Sequence, residues 1–208
     1  MRAARAILAA ALLAGCSRPP VPSRTYQGAI DVLIDPGQEP PGDAAVVAIQ
    51  AGGYSFTVTP RAAYAIGGIV VGRRNYSGDW NSLLAPCDLA IAWGKLVQTG
   101  LHRRLSWSQG GRWYYWRYGP DFPFGNDFIA RYSSNNHIIP ATDNVRDAVL
   151  SLAPGDTVEL FGRLVDVDGR RGEQAVWWRT STSREDTGDG ACEVFLVTGV
   201  KRRGAVYE

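Results

Sequence analysis

A mainly β (α+β) fold, a compact β-sheet or barrel-like domain with one short helix near 143–152, is what this sequence predicts. Three observations lead there: segments with a 3.6-residue apolar period are scarce, the turn formers include 24 Gly and 12 Pro, and β-branched and aromatic residues fill the stretches between them. The length suits one domain whose core needs no disulfide or metal staple. No internal repeat divides it, so the expected organisation is a leader over 1–15, a flexible tether over 16–27 and a single β-rich domain over 28–208.

The tether reads as such because it is polar and carries Pro19, Pro20 and Pro22. Residues 29–34 alternate weakly and read as a strand, followed by a Pro/Gly-rich loop from Asp35 to Asp43. Ala45–Gln50 is an apolar run. Gly52 and Gly53 signal a turn before Tyr54–Thr59, whose alternation suits a half-buried strand, with Ile66–Val71 as its partner. Pro86–Trp93 holds Asp88 within an apolar run and reads as a buried strand or a short helix. The helix expected over 143–152 places Val145, Ala148, Val149 and Leu152 on one face, with Thr142 or Asp143 as N-cap and Pro154-Gly155 as its stop. Thr157–Val167 and Ala175–Thr180 read as a hairpin turning near Asp168-Gly169, and Val194–Val200 as a closing strand. The pattern from Val158 to Val165 is that of small barrels, so the C-terminal half is OB-like or SH3-like by analogy, which carries no function with it.

The N-terminus has a basic start (Arg2, Arg5), an apolar run to Ala14, and Leu13-Ala14-Gly15-Cys16. That order resembles the lipobox of a bacterial lipoprotein signal peptide. The resemblance implies cleavage before Cys16, lipidation of its sulfur and acylation of its new amino group. The apolar run is too short to cross a bilayer core of about 30 Å as a helix and matches the apolar region of a cleaved signal. Multiple acyl chains hold a protein stably to a membrane. Ser17, where an Asp would retain proteobacterial lipoproteins in the inner membrane, points by the same resemblance to the outer membrane, in the periplasm or at the surface.

Cleavage removes two of the 22 basic residues and none of the 20 acids, so the mature chain is formally neutral. Neutrality argues against a nucleic-acid partner, which needs a net basic surface. Cys87 and Cys192 remain as thiols. In an oxidising compartment they form either a disulfide, closing a loop of about 100 residues worth up to about 5 kcal/mol, or two buried thiols. Neither belongs to a CxxC pair, and His102 and His137 lie far from each other in sequence, so no metal site is expected. No phosphate-binding glycine loop or dinucleotide fingerprint appears, and no cofactor is expected.

Ten of the 22 aromatic residues fall between Trp107 and Tyr132. As a strand, 112–118 sends Trp113, Tyr115 and Arg117 to one face and Tyr114, Trp116 and Tyr118 to the other. One face can pack on the core while the other forms a platform for a protein or a glycan, which makes Trp113, Tyr115, Trp116, Arg117 and Tyr118 the candidate binding residues. The competing reading is a strand buried on both sides with Arg112 and Arg117 stacked on rings.

The run Ser133-Ser-Asn-Asn-His137 is where an enzyme would begin: His137 as general base, with Ser134 or Asp88 as candidate partners. The alternative is a turn closed by its own Ser and Asn side chains, beside a satisfied imidazole. Asp88 must be paired or hydrogen-bonded in so apolar a run, with Arg112, Arg117 or Arg131 as the candidate partners. Asp166, Asp168, Glu185, Asp186 and Asp189 cluster loosely but do not match a calcium loop.

Pro86–Gly94, Gly111–Tyr118, Ser134–Pro140 and Ala191-Cys-Glu193 resemble stretches of a family of bacterial envelope proteins with no assigned activity. The likeness spans most of 54–197 and implies one coherent domain. The likeness leaves function open; the lipobox and the aromatic segment give the expected function, a lipid-anchored envelope module that binds a protein or glycan through that segment. The alternative is a periplasmic hydrolase-like enzyme centred on His137 and Asp88. An OB-like domain binding oligosaccharide or nucleic acid is the third reading.

Overall fold

The computed structural model describes residues 18–183 and 192–208. Among the described residues twelve strands run in the order β1 Arg24–Thr25, β2 Gly37–Glu39, β3 Val47–Ala51, β4 Tyr54–Asn75, β5 Cys87–Ala92, β6 Ser106–Gly110, β7 Trp113–Arg117, β8 Ser133–Pro140, β9 Thr157–Arg171, β10 Gln174–Trp178, β11 Glu193–Arg202 and β12 Ala205–Tyr207. Helix α1 is Gly94–Gln98, α2 Asn126–Arg131 and α3 Asp143–Leu150. The protein is mainly β, as the composition predicts.

Five strands close on themselves in the order β4, β5, β8, β11, β9 and back to β4. Every pair in the ring is antiparallel except β8–β11. With α3 between β8 and β9 in the chain, this is the strand order of an OB barrel. The barrel is not confined to the C-terminal half: its first three strands come from 54–140.

Closure brings two backbones close. A Cβ on Gly162 would strike the Leu196 carbonyl, and one on Gly199 would strike the Phe161 ring. Alternation sends Ile66, Val70, Leu89, Ile91, Ile138, Leu160, Phe195 and Val197 into the interior. Helix α3 plugs one end with Val145, Ala148 and Val149, joined by Leu152 just beyond it. Each full burial of such a side chain contributes about 1.5–3 kcal/mol. The N-cap is Thr142, whose hydroxyl accepts from Val145 N at 3.1 Å.

Strands β4 and β9 are longer than the barrel. At Pro60 the register between them shifts, a bulge that also accommodates a residue with no N–H to donate. Beyond it the faces exchange. Tyr54, Phe56 and Val58 join Val165 and Val167 in a second core, against Ile139, Val194 and Leu196 on the barrel's outer surface. A third core, with Leu96, Leu101, Leu105 and Ile129, lies under α1, α2 and the β6–β7 hairpin.

Several expectations change. Ile66–Val71 is not the partner of Tyr54–Thr59 but the same strand, because the bulge bends the chain without a turn. Residues 29–34 form no strand: Leu33 N donates to the Asp31 carboxylate at 2.8 Å, and Leu33 and Ile34 are exposed. A short strand falls instead inside the expected loop, at Gly37–Glu39. Pro86–Trp93 is a strand rather than a helix. The β9–β10 turn lies at Gly172-Glu173, since Gly169 is needed within the strand, where the Phe56 ring leaves no room for a Cβ. Ser133–Pro140 is a central strand rather than a turn. The tether is shorter than 16–27, because Arg24 and Thr25 pair with Val206 and Ala205. No helix among the described residues is long and apolar enough to cross a membrane.

Candidate functional site

In the β5–β8 ladder Asp88 stands directly opposite His137. Since Leu89 and Ile138 point into the barrel, Asp88, Asn135 and His137 point out. A polar outer face on two central strands requires a cover, and two elements supply it.

The first is the β6–β7 hairpin. Its turn residues Gly111 and Arg112 both take left-handed backbone, φ 59° and 69°. That conformation is strained for arginine and persists because its surroundings hold it. Arg112 N donates to the Tyr76 hydroxyl at 3.1 Å, and Arg112 O accepts from Asn135 Nδ2 at 2.9 Å. Gln109 Nε2 donates to Asn135 Oδ1 at 2.8 Å. The turn thereby drops the Arg112 side chain onto Asp88.

Arg112 Nη1 donates to Asp88 Oδ1 at 2.9 Å and to the Ala85 carbonyl at 3.0 Å. Its Nη2 lies 3.5 Å from Asp79 Oδ1. The guanidinium sits 4.0 Å over the Tyr76 ring and 5.4 Å from that of Trp178. Trp178, from β10, is the second cover, with its ring 4.6 Å from that of His137. His137 Nδ1 approaches Asp88 Oδ1 to 3.0 Å but off the axis of a hydrogen bond, and among the described residues Asp88 Oδ2 has no hydrogen-bond partner. Burial alone would raise the Asp79 carboxyl, but hydrogen bonds from Ser82 and the Arg112 charge outweigh it and hold the group below its usual range. Burial, and then the Asp88 charge, push the Tyr76 phenol up.

The arrangement locks three elements together. As catalytic machinery it is half assembled: Asp88 and His137 meet, as a base and its orienting carboxylate must. Yet Asp88 is 0% and His137 3% exposed. Ser134 points the other way, into the barrel, where its hydroxyl accepts from Asn136 Nδ2 at 2.9 Å. Ser133 donates to the Ile129 carbonyl at 2.7 Å. An open groove of about 410 Å³ lies elsewhere, on the barrel wall beside Glu39, Phe161, Arg163 and Thr198, and includes none of these residues.

The aromatic hairpin divides between the two readings of its sequence. Tyr114 and Trp116 turn inward and pack with Trp107, at ring separations of 6.2 and 6.1 Å from it. Trp116 Nε1 and the Tyr118 hydroxyl both donate to Asn126 Oδ1, at 2.9 and 3.1 Å. Tyr115 and Arg117 face solvent, and Trp113 is half-buried. Tyr115 is 53% exposed, with Tyr118 and Phe124 also open. Arg112 stacks on rings, while Arg117 is exposed; among the three arginine candidates, Arg112 is the partner of Asp88.

Cys87 is buried and Cys192 half-buried, and no disulfide joins the two. Asp166 pairs with Arg61 and Asp168 with Arg179. Among the described residues no group of three His, Cys, Asp or Glu side chains could hold a metal ion. Cys16, Glu185, Asp186 and Asp189 lie outside the described residues.

Sequence reasoning missed Trp178, Tyr76 and Gln109. Only Trp178 left a signal: in a strand, Trp177-Trp178 must place one ring on each face, and Trp177 is the exposed one at 68%. The site draws on three elements: β5 supplies Asp88, the β6–β7 turn Arg112, and β8 Asn135 and His137. No family model matches the chain, and no curated protein or solved structure matches it.

Proposed function

We propose that the protein is a lipid-anchored cell-envelope protein, held at the outer membrane through Cys16, that works as a binding module for an envelope protein or glycan. The contact surface is the outward side of the β6–β7 hairpin, Trp113, Tyr115 and Arg117, with Tyr118, also open to solvent, at the end of the hairpin. The observation that carries this reading is the exposure of Tyr115 and its neighbours on a hairpin whose turn is pinned to the barrel by Arg112. Rigid aromatic rings give up little entropy on binding, and a fixed support lowers that loss further. In an OB barrel, the second and third strands form the usual ligand face. In this protein that face is covered by the hairpin, which presents its own outer surface in its place.

Affinity purification of the lipoprotein from membranes, compared with Tyr115→Ala, tests the reading. Specific partners are expected with the native chain and lost with the variant at unchanged thermal stability. Partners retained in full by Tyr115→Ala and Arg117→Ala would remove the hairpin from the interface. Trp116→Ala is a poor probe, since its ring belongs to the hairpin's packing.

A further inference from the structure

We infer that the surface formed by β1, β12 and the N-terminus of α3 faces the lipid bilayer. The inference rests on the lipid-anchor reading of Cys16 and adds the orientation of the domain.

The Asn144 carboxamide clips the incoming chain. Its Oδ1 accepts from Val21 N at 2.8 Å, and its Nδ2 donates to Val21 O at 2.9 Å and to Glu208 O at 3.1 Å. From there the chain is zipped to β12. Ser23 N donates to Val206 O at 2.8 Å, Tyr26 N to Gly204 O at 3.0 Å, and Glu208 N to the Ser23 hydroxyl at 3.0 Å. Arg24 pairs with Glu208 at 3.0 Å.

Only Ser17, Arg18, Pro19 and Pro20 separate Cys16 from the clipped Val21. At the full extension of the backbone that is a reach of about 17 Å. The acyl chains of Cys16 lie in hydrocarbon, and the headgroup zone of one leaflet takes up about 5–8 Å of that reach. Val21 is therefore within about 10 Å of the headgroup surface. A domain of this length is about 40 Å across, so the anchor cannot pass around it and present the opposite end.

The opposite end is the β9–β10 turn. Val206 pairs with Lys201, Lys201 pairs with Glu159, and Glu173 lies beyond the far end of β9, up to about 40 Å of strand away. A chain expected to swing on a tether is instead seated on one side.

The test uses full-length lipoprotein purified from membranes, with Cys192→Ser and a single dye-labelled cysteine at Asp143→Cys or Glu173→Cys. Both sites are exposed. The protein is placed in phosphatidylethanolamine–phosphatidylglycerol vesicles carrying a headgroup nitroxide quencher. Quenching about threefold stronger at 143 than at 173 is expected, and a Gly/Ser insertion of about twenty residues after Ser17 should abolish the difference. Equal quenching in the uninserted chain, or stronger quenching at 173, overturns the orientation while leaving the anchor intact. Protein that fails to float with the vesicles overturns the anchor itself, and the orientation with it.

Discussion

Replacing Arg112 with methionine strands the carboxylate of Asp88. In the native protein that carboxylate is fully buried, and its Oδ1 takes the Arg112 Nη1 bond at 2.9 Å, while His137 approaches off-axis and Oδ2 receives no hydrogen bond from the described residues. The substitution removes a charge-assisted bond worth about 1.5–3 kcal/mol and a ring contact worth about 1 kcal/mol. It also leaves a buried charge without its cation, and the total for breaking such a pair from one side is about 3–5 kcal/mol. Against a typical stability of about 5–15 kcal/mol this is a severe loss. At a slope of about 2 kcal/mol/M it moves a urea midpoint down by about 2 M. Equilibrium urea unfolding followed by tryptophan fluorescence reads the effect. Removing both charges, Arg112→Met with Asp88→Leu, should recover most of the loss, because an apolar pair of similar volume replaces a buried ion pair at little net change. A single-variant loss below about 1 kcal/mol, or a double variant as unstable as the sum of the singles, would refute the latch.

Two further outcomes follow from the same packing. Burial, then the Asp88 charge, push the Cys87 thiol up to about 12, so in the native protein only Cys192 should react with a thiol reagent at pH 8, and both should react after denaturation. Two silent thiols that appear only after reduction would reveal a Cys87–Cys192 disulfide. His102 is held below the usual imidazole value, first by burial and also by the nearby Arg103 charge, against the opposing carbonyl of Leu96. The unfolded chain then binds a proton more readily than the native one. The stability His102 contributes is present above about pH 6.5 and is lost as pH falls through the lowered native value. Urea midpoints at pH 7.5 and pH 5 should fall further for the native protein than for His102→Gln; equal falls would remove the buried imidazole as the cause.

Several features of the fold were readable locally. Helix α3 was legible because its i, i+3, i+4 apolar spacing and its Thr142 cap act within one stretch of chain. The strand character of Tyr54–Thr59 and of Val194–Val200 was legible for the same reason. The continuity of β4 was hidden: Pro60 reads as a breaker, and only pairing with β9 shows that it occupies a bulge. The polarity of Ser133–His137 was misleading in a similar way. Five consecutive polar side chains signal a turn unless the fold buries them, and here the covers on the outer face are Arg112, Gln109 and Trp178.

By itself the sequence determined the mainly β class, the charge neutrality of the chain after residue 15, and the requirement that Asp88 find a partner. It also determined that one side of the aromatic stretch 113–117 would face away from the other. These follow from composition, periodicity and desolvation, which need no knowledge of what lies nearby. Only the tertiary structure decided that Arg112 is the partner, that His137 stands opposite Asp88 on a covered sheet face, and that Tyr115 rather than Trp116 meets solvent. It also decided that Asn144 holds Val21 against the body of the domain. Each of these depends on strand pairings or side-chain contacts between residues about ten to more than a hundred positions apart, and such contacts are set by the tertiary fold.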